Sequence, residues 1–231
     1  MIFSVLIPAA GSGERLGSSM SKALIEIGGE AMFLRAAKPF LRFAGCQEVV
    51  IAAPARDLSE FEQHAQRLAD PRVRVIPGGA TRQESVERAL EASSKTCDAL
   101  LVHDAARPFI TDSLIASVLD GLRDCSASLP GLPLKDTIKL VEDEGEFVEH
   151  TLPRDRLYAA QTPQAIRAEL FREAHSLALN DRWTATDDVA LIEHYHLGNV
   201  RIVPGSEGNF KITTPEDLRR AQQLVAQASG S

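Results

Sequence analysis

The chain opens on an apolar run, Ile2-Phe3-Ser4-Val5-Leu6-Ile7, that passes directly into PAAGSGERLG, residues 8–17. A buried strand ending in a glycine-rich loop restricts the possible fold more than any other stretch. Glycines at Gly11, Gly13 and Gly17 let the backbone come close to a ligand. The free N–H groups of such a loop form an anion-binding concavity, and a following helix N-terminus adds a favourable dipole. Arg15 and Lys22 place two cations beside it, a combination suited to chemistry on a triphosphate.

The spacing separates this loop from two common relatives. A dinucleotide fingerprint requires G-x-G-x-x-G and an acid at the end of the next strand. Here the third glycine falls one place late, and the next expected strand, Glu48–Ala52, ends in Ala53-Pro54 without an acid. A P-loop requires Gly-Lys followed by Ser or Thr, whereas Lys22 lies between Ser21 and Ala23. A nucleotidyltransferase loop and a merely flexible turn remain.

Beyond the loop, short apolar runs alternate with helix-period segments. Strands are expected at Glu48–Ala52, Val73–Ile76, Ala99–His103, Ala127–Leu132, Leu157–Gln161 and Val200–Val203. Helices are expected at Met32–Phe40, Leu58–Ala69, Arg82–Ala92, Ser113–Leu122, Ala165–Leu179, Asp187–His194 and Pro215–Ala226. This alternation predicts an α/β fold of Rossmann-like kind, a mostly parallel twisted sheet with helices on both faces. Ligands of such sheets bind beyond the carboxyl ends of the strands. One segment departs from the pattern: Thr137–Val141 and Phe147–Thr151 alternate around an acidic tip and read as a protruding β-hairpin arm, residues 135–152. It is either a flap on its own domain or an arm exchanged with a second subunit.

The 231 residues suit a single domain, 1–231. A net charge of −7 argues against nucleic acid as a partner. No run approaches the roughly 18 apolar residues of a membrane span. Three cysteines without metal-type spacing fit reduced thiols in the cytoplasm. An acidic chain that handles anions must concentrate its cations locally, so Arg15, Lys22, Arg82, Arg107, Arg154 and Lys211 are the positions of interest.

In HDAARPF, residues 103–109, an acid at a strand's carboxyl end suits a Mg²⁺-bridged phosphate, because magnesium takes one or two carboxylates and leaves its other positions to phosphate and water. Arg107 offers a planar fork to a second phosphate; Asp104–Arg107 also reads as an ion pair that stabilises the loop. His103 reads as structural or catalytic, and His194-x-His196 as a helix-end pair without a third metal ligand. Asp187-Asp188 are either dipole-favoured acids at a helix start or acids facing the rim. GGATRQESV, residues 78–86, has capping-box form, with Thr81 before Arg82 and Glu84. In TLPRDRLYAAQTPQ, residues 151–164, and GNFKITTPEDL, residues 208–218, Arg154 and Lys211 sit in stiff Gly- or Pro-bounded context.

In order, PAAGSGERLG with Lys22, GGATRQESV, HDAARPF, DTIK, TLPR with QTPQ, TDD and NFKITTPEDL closely resemble the 2-C-methyl-D-erythritol 4-phosphate cytidylyltransferases of the non-mevalonate isoprenoid pathway. The resemblance runs from residue 2 to about 220 and leaves no room for the second enzyme domain sometimes fused to this one. It implies that Ala9, Ala10, Gly11, Gly13, Gly79, Ala80, Ser85 and Ala105 hold CTP, with Arg15 and Lys22 neutralising its phosphates. It implies that Asp104 binds Mg²⁺ and touches substrate. Arg107, Thr137, Arg154, Thr162 and Lys211 would grip the polyol phosphate, with Arg154 and Lys211 orienting it for attack. A homodimer joined through the β-arm is implied as well, Arg154 then serving the neighbouring subunit. Ser21 and Ala23 depart from the family's usual proline and glutamine, and Ala80 from an acid found in some relatives. Two rival readings stay open: a cytidylyltransferase for another polyol phosphate such as ribitol 5-phosphate, and a non-catalytic nucleotide sensor.

Overall fold

The computed structural model describes residues 1–10, 21–143 and 145–229. From the amino end the elements are β1 (Phe3–Pro8), β2 (Glu26–Ile27), β3 (Glu30–Ala31), α1 (Met32–Leu41), β4 (Cys46–Ala53), α2 (Leu58–Gln66), β5 (Val73–Pro77), α3 (Arg82–Ala92), β6 (Ala99–Val102) and α4 (Asp112–Gly121). There follow β7 (Ala127–Pro133), β8 (Ile138–Val141), β9 (Val148–Leu152), β10 (Tyr158–Ala160), β11 (Gln164–Arg167), α5 (Ala168–Asp181), α6 (Val189–His194), β12 (Val200–Pro204) and α7 (Pro215–Ser229).

Eight strands form one sheet, in which β5, β4, β1, β6, β11 and β7 lie side by side. Both β11 and β12 pair with Ala127 and Ser128, so they flank β7 from opposite edges. Strand β10 pairs with Gly131–Pro133, farther along β7. Only β10 and β11 run antiparallel to their neighbours among these pairings. The expected mostly parallel α/β sheet is therefore present.

Period-two alternation sends successive side chains to opposite faces, and the core divides accordingly. Phe3, Val5 and Ile7 of β1, with Ala99 and Leu101 of β6, meet Phe33, Leu34 and Phe40 of α1, Phe61 of α2 and Ile115 of α4. Leu6, Leu100 and Val102 face Val86 and Leu90 of α3, Phe171 and Ala174 of α5, and Leu191 and Ile192 of α6. A smaller cluster seats Ile212 and Ala221 on Ile27 and Met32, which docks α7 beside β2–β3.

Two elements differ from expectation. The helix read from Ala165 begins at Ala168, because Gln164–Arg167 is a strand between β6 and β7. Ala165 and Ile166 are buried on opposite faces of the sheet. Four residues are too few to show a period of two, so they merged with the helical pattern that follows. The β2–β3 ribbon was not anticipated either; its turn places Gly28 and Gly29 at φ of 61° and 76°, the two positive values that a tight hairpin turn requires. The remaining elements match within a few residues at each end.

The arm is present as β8 and β9, which among the described residues pair only with each other. Phe147 and Val148 on it are 66% and 56% exposed.

On α5, His175 is buried against Phe171, with its Nε2 unpartnered. Burial pushes its pKa down to about 4. The unfolded chain, near 6.5, then takes up the proton first, so stability present above about pH 6.5 is lost as the pH falls towards 4. The slope contributed is at most about 1.4 kcal/mol per pH unit. His175→Leu should flatten this acid limb, which denaturant unfolding between pH 7 and 4 measures. An unchanged slope would remove His175 as its source.

Candidate active site

The carboxyl ends of β1, β5, β6 and β12 and the amino end of β11 open on one rim of the sheet. Asp104 stands there, directly after β6, with a side chain 10% exposed. Arg82 donates through Nε to its Oδ1 at 3.2 Å. Lys211 places Nζ 2.8 Å from its Oδ2, and Arg107 places Nε 3.7 Å from the same oxygen. Burial pushes the Asp104 carboxyl up, but Arg82, Lys211 and Arg107 outweigh it and hold the group far below the usual carboxylate range. It is therefore a permanent anion inside a ring of cations.

Each cation arrives on a separately fixed element. Arg82 is the first residue of α3, whose N-cap Thr81 accepts the Glu84 N–H at 3.1 Å. Lys211 is held by its neighbours: the Ile212 N–H donates to the Ala106 carbonyl at 2.9 Å. Phe210 stacks on Phe109 with centroids 5.5 Å apart, under the guanidinium of Arg220. Arg107 is buried, and its fork bonds main-chain carbonyls, Nη1 to Asn209 at 2.8 Å and Nη2 to Ala160 at 3.5 Å. Of the two readings of Asp104–Arg107, the loop-stabilising one describes these contacts.

His103 is structural. Its Nε2 lies 3.1 Å from the Arg107 carbonyl, which can only accept, so Nε2 carries the proton. Nδ1 then accepts from the Thr162 hydroxyl at 3.0 Å, and that oxygen in turn accepts the Asp104 N–H at 3.0 Å. Burial lowers the His103 pKa to about 4, which keeps the neutral ring this chain of bonds needs. Thr162, read from the resemblance as a substrate contact, has its hydroxyl engaged in fixing the backbone of Asp104.

A second group of expected residues gathers between β1 and α3. Ala9 donates to the Ala52 carbonyl at 2.8 Å. A Cβ on Gly78 would lie 2.7 Å from that of Ala10, so a glycine is needed where the two loops touch. The N–H of Gly79 donates to Ser85 Oγ at 3.1 Å and that of Ala80 to Glu84 at 2.8 Å. The turn is thus pinned to α3 by its own side chains. Ala105 is buried beside Asp104.

Lys22 opens a one-turn helix, Lys22–Leu24, anchored by buried Ala23 and Leu24. Gly11, Gly13 and Arg15 lie outside the described residues. Thr137 and Arg154 are exposed at the foot of the arm, where Arg154 donates to the Lys135 carbonyl; neither pairs with Asp104. Asp187-Asp188 do both things the sequence allowed, since Asp187 Oδ1 accepts the Ala190 N–H at 3.0 Å while Asp188 binds Arg82. His194 stacks on Trp183, with ring centroids 3.9 Å apart. Sequence reasoning missed Asn209 and Gln161, buried polar residues that lace the rim together: Asn209 Nδ2 donates to the Thr162 carbonyl and Gln161 Nε2 to the Ser206 carbonyl. Their only signal was a polar residue in a stiff, apolar context.

The donor set also bears on a metal. Among the described residues no three acids, histidines or cysteines cluster as a metal cage. Asp104 is the rim carboxylate that would hold magnesium, with phosphate and water completing the shell; in this structure its Oδ1 faces Arg82 and its Oδ2 faces Lys211.

A doubly covered α/β sheet with fixed cations around one rim carboxylate defines an enzyme of the kind that handles phosphorylated, polyanionic reactants. The family model described as 2-C-methyl-D-erythritol 4-phosphate cytidylyltransferase matches residues 3–227, and the chain belongs to that family. The enzyme so named from Halalkalibacterium halodurans is 41% identical, over 98% of this chain and 98% of its own. That from Deinococcus radiodurans is 41% identical, over 98% and 91%. The solved structure of the Thermus thermophilus 2-C-methyl-D-erythritol 4-phosphate cytidylyltransferase is 36% identical, with a TM-score of 0.78 over 98% of this chain and 100% of that one. The 4-diphosphocytidyl-2C-methyl-D-erythritol synthase of Anaerococcus prevotii has a TM-score of 0.85 at 29% identity, over 97% and 98%.

Thr162→Val keeps the shape but leaves the Asp104 N–H and His103 Nδ1 without their partner. Each buried orphan costs about 1–3 kcal/mol. Denaturant unfolding should show a loss of about 2–6 kcal/mol for the two together, and wild-type stability would contradict the assigned bonding.

Proposed function

We propose that this chain transfers CMP from CTP to 2-C-methyl-D-erythritol 4-phosphate, giving 4-diphosphocytidyl-2-C-methyl-D-erythritol and pyrophosphate. The observation that carries this reading is the convergence of Arg82, Arg107 and Lys211 on Asp104 in a member of this family. A phosphate oxygen of the acceptor forms a bond to the α-phosphorus of CTP as the bond to the pyrophosphate oxygen breaks. The acceptor's second pKa lies near 6, so the attacking oxygen already carries its charge at neutral pH. No general base is required, in keeping with a rim whose histidine is neutral and fully engaged.

The difficulty is to press one polyanion against another, and fixed cations meet it without reorganising. Lys211, 43% exposed on its side chain, reaches from Asp104 towards solvent and would grip the acceptor phosphate. Arg107 supplies charge from beneath the rim. Lys22 and Arg15 would serve the triphosphate, with Ala9, Ala10, Gly11, Gly13, Gly79, Ala80, Ser85 and Ala105 around the nucleotide. Asp104 would hold Mg²⁺ together with the phosphates, where the ion neutralises their charge.

The arm supports a homodimer. Two strands alone are marginal in water, yet this pair carries exposed Val141, Phe147 and Val148. A second copy covers them and brings Arg154 and Thr137 to its neighbour's site. A cytoplasmic setting is part of the proposal, supported by three unpaired cysteines. No helix among the described residues is long and apolar enough to cross a membrane.

Pyrophosphate release should depend on CTP and on 2-C-methyl-D-erythritol 4-phosphate. Equal release with ribitol 5-phosphate, or none with either acceptor, would overturn the assignment. Lys22→Ala should lower kcat about 100-fold or more if its charge supplies roughly 3 kcal/mol in the transition state. Arg154→Ala should mainly raise KM for the acceptor. In dimers mixed from Arg154→Ala and Lys22→Ala subunits, activity well above that of either parent is expected if Arg154 works across the interface. No recovery would place it in its own subunit's site.

A further inference from the structure

Arg82 has more to bind than Asp104. Its fork closes on Asp188, with Nη1 3.2 Å from Oδ1 and Nη2 2.6 Å from Oδ2. The Asp188 side chain is 4% exposed. Its backbone is fixed from the sheet: Gln164 Oε1 on β11 accepts the N–H groups of Asp188 and Val189 at 2.9 and 3.0 Å. Gln164 Nε2 donates to Asp187 at 2.8 Å. From the other side, Gln83 of α3 bonds the Trp183 carbonyl and the Ala185 N–H. The segment from Trp183 to Asp188 is therefore clamped to the first turn of α3 by two adjacent residues, Arg82 and Gln83.

We propose that Asp188 is a positioning residue for the transfer reaction, holding the Arg82 fork so that Arg82 meets Asp104 through Nε alone. Nε reaches only Oδ1 of Asp104, which leaves Oδ2 to Lys211. Guanidinium favours two-pronged binding of a carboxylate. Released from Asp188, the fork would turn onto Asp104, take both oxygens and displace Lys211 from the place it holds for the acceptor phosphate. Burial works against charge on both partners, and the attraction of the two carboxylates raises the Arg82 pKa nonetheless. The guanidinium thus stays charged between them.

This inference rests on the cytidylyltransferase reading, and one set of assays separates the two. Asp188→Asn, Arg82→Gln and the double variant are compared with the wild type for pyrophosphate release, with thermal unfolding as the measure of folding. Asp188→Asn should raise KM for the acceptor phosphate about tenfold, whereas a loss of folded enzyme lowers apparent kcat alone. The double variant should fall within about twofold of Arg82→Gln, since contacting residues that act through one another are non-additive. Should Asp188→Asn fail to fold, Asp188→Glu keeps the charge but displaces the fork, and the same rise in KM is expected. Acceptor KM unchanged in the folded variant, or losses that multiply, would overturn the role of Asp188. A wild-type chain that releases no pyrophosphate would instead overturn the reading of function.

Discussion

The rim is organised by one buried charge. Asp104 lies where an unpaired carboxylate would be costly, and removing the partner of a buried ion typically destabilises by about 3–5 kcal/mol. Arg82, Arg107 and Lys211 come from three stretches of chain widely separated in sequence; Arg82 and Lys211 meet the carboxylate at 3.2 and 2.8 Å, and Arg107 lies 3.7 Å from it. The carboxylate thereby fixes where the opening turn of α3, the loop after β6 and the chain after β12 must meet. Cations that would repel one another in isolation are held close in advance of any ligand. A second polyanion entering here finds the charge already placed.

The ends of the chain serve the same point by different means. Lys211 depends on apolar packing: Ile212 inserted beside Met32 and Ile27, Phe210 stacked on Phe109, and α7 seated on the small ribbon β2–β3. The N-cap of α7 is strongly bonded, with Asp217 accepting the N–H groups of Thr213 and Thr214 at 2.9 and 2.8 Å. Burial raises the Asp217 carboxyl, but those donors outweigh it and bring the pKa down to about 2. The helix start that follows Lys211 is thus fixed in the ionised state of its cap. The arm, by contrast, carries Val141, Phe147 and Val148 exposed.

Most of the sheet was legible because its strands have apolar residues on both faces and several, such as β1, β5 and β12, end in proline. Strand β11 was not, since its four residues carry too little pattern and are defined only by the neighbours that bury them. At the site, Asp104 and Lys211 stood out because an acid after a strand and a cation in a stiff loop are visible locally. The partnership of Arg82 with Asp188 joins residues 106 positions apart, and a helix-start arginine looks the same whether it faces solvent or a carboxylate. Thr162 shows the converse limit. Its place in a motif was evident, but whether its hydroxyl faces a ligand or the backbone of Asp104 depends on His103, and only the three-dimensional arrangement supplies that.

Three titratable groups at the rim keep their charge state over a wide range of pH, while burial raises the carboxyl of Asp188 behind them. The Asp104 carboxyl is held far below neutrality, the Arg82 guanidinium above its ordinary value, and the His103 ring neutral down to about pH 4. None of the three changes charge in the range where a phosphate monoester takes its second charge, near pH 6. A site of this kind can leave ionisation of the nucleophile to the substrate and confine the protein to positioning and neutralisation. That division explains why the histidine closest to the reacting edge is spent on two hydrogen bonds inside the scaffold. An imidazole titrating at the rim would add positive charge just as the acceptor phosphate lost its own negative charge, coupling two equilibria that the buried His103 keeps apart.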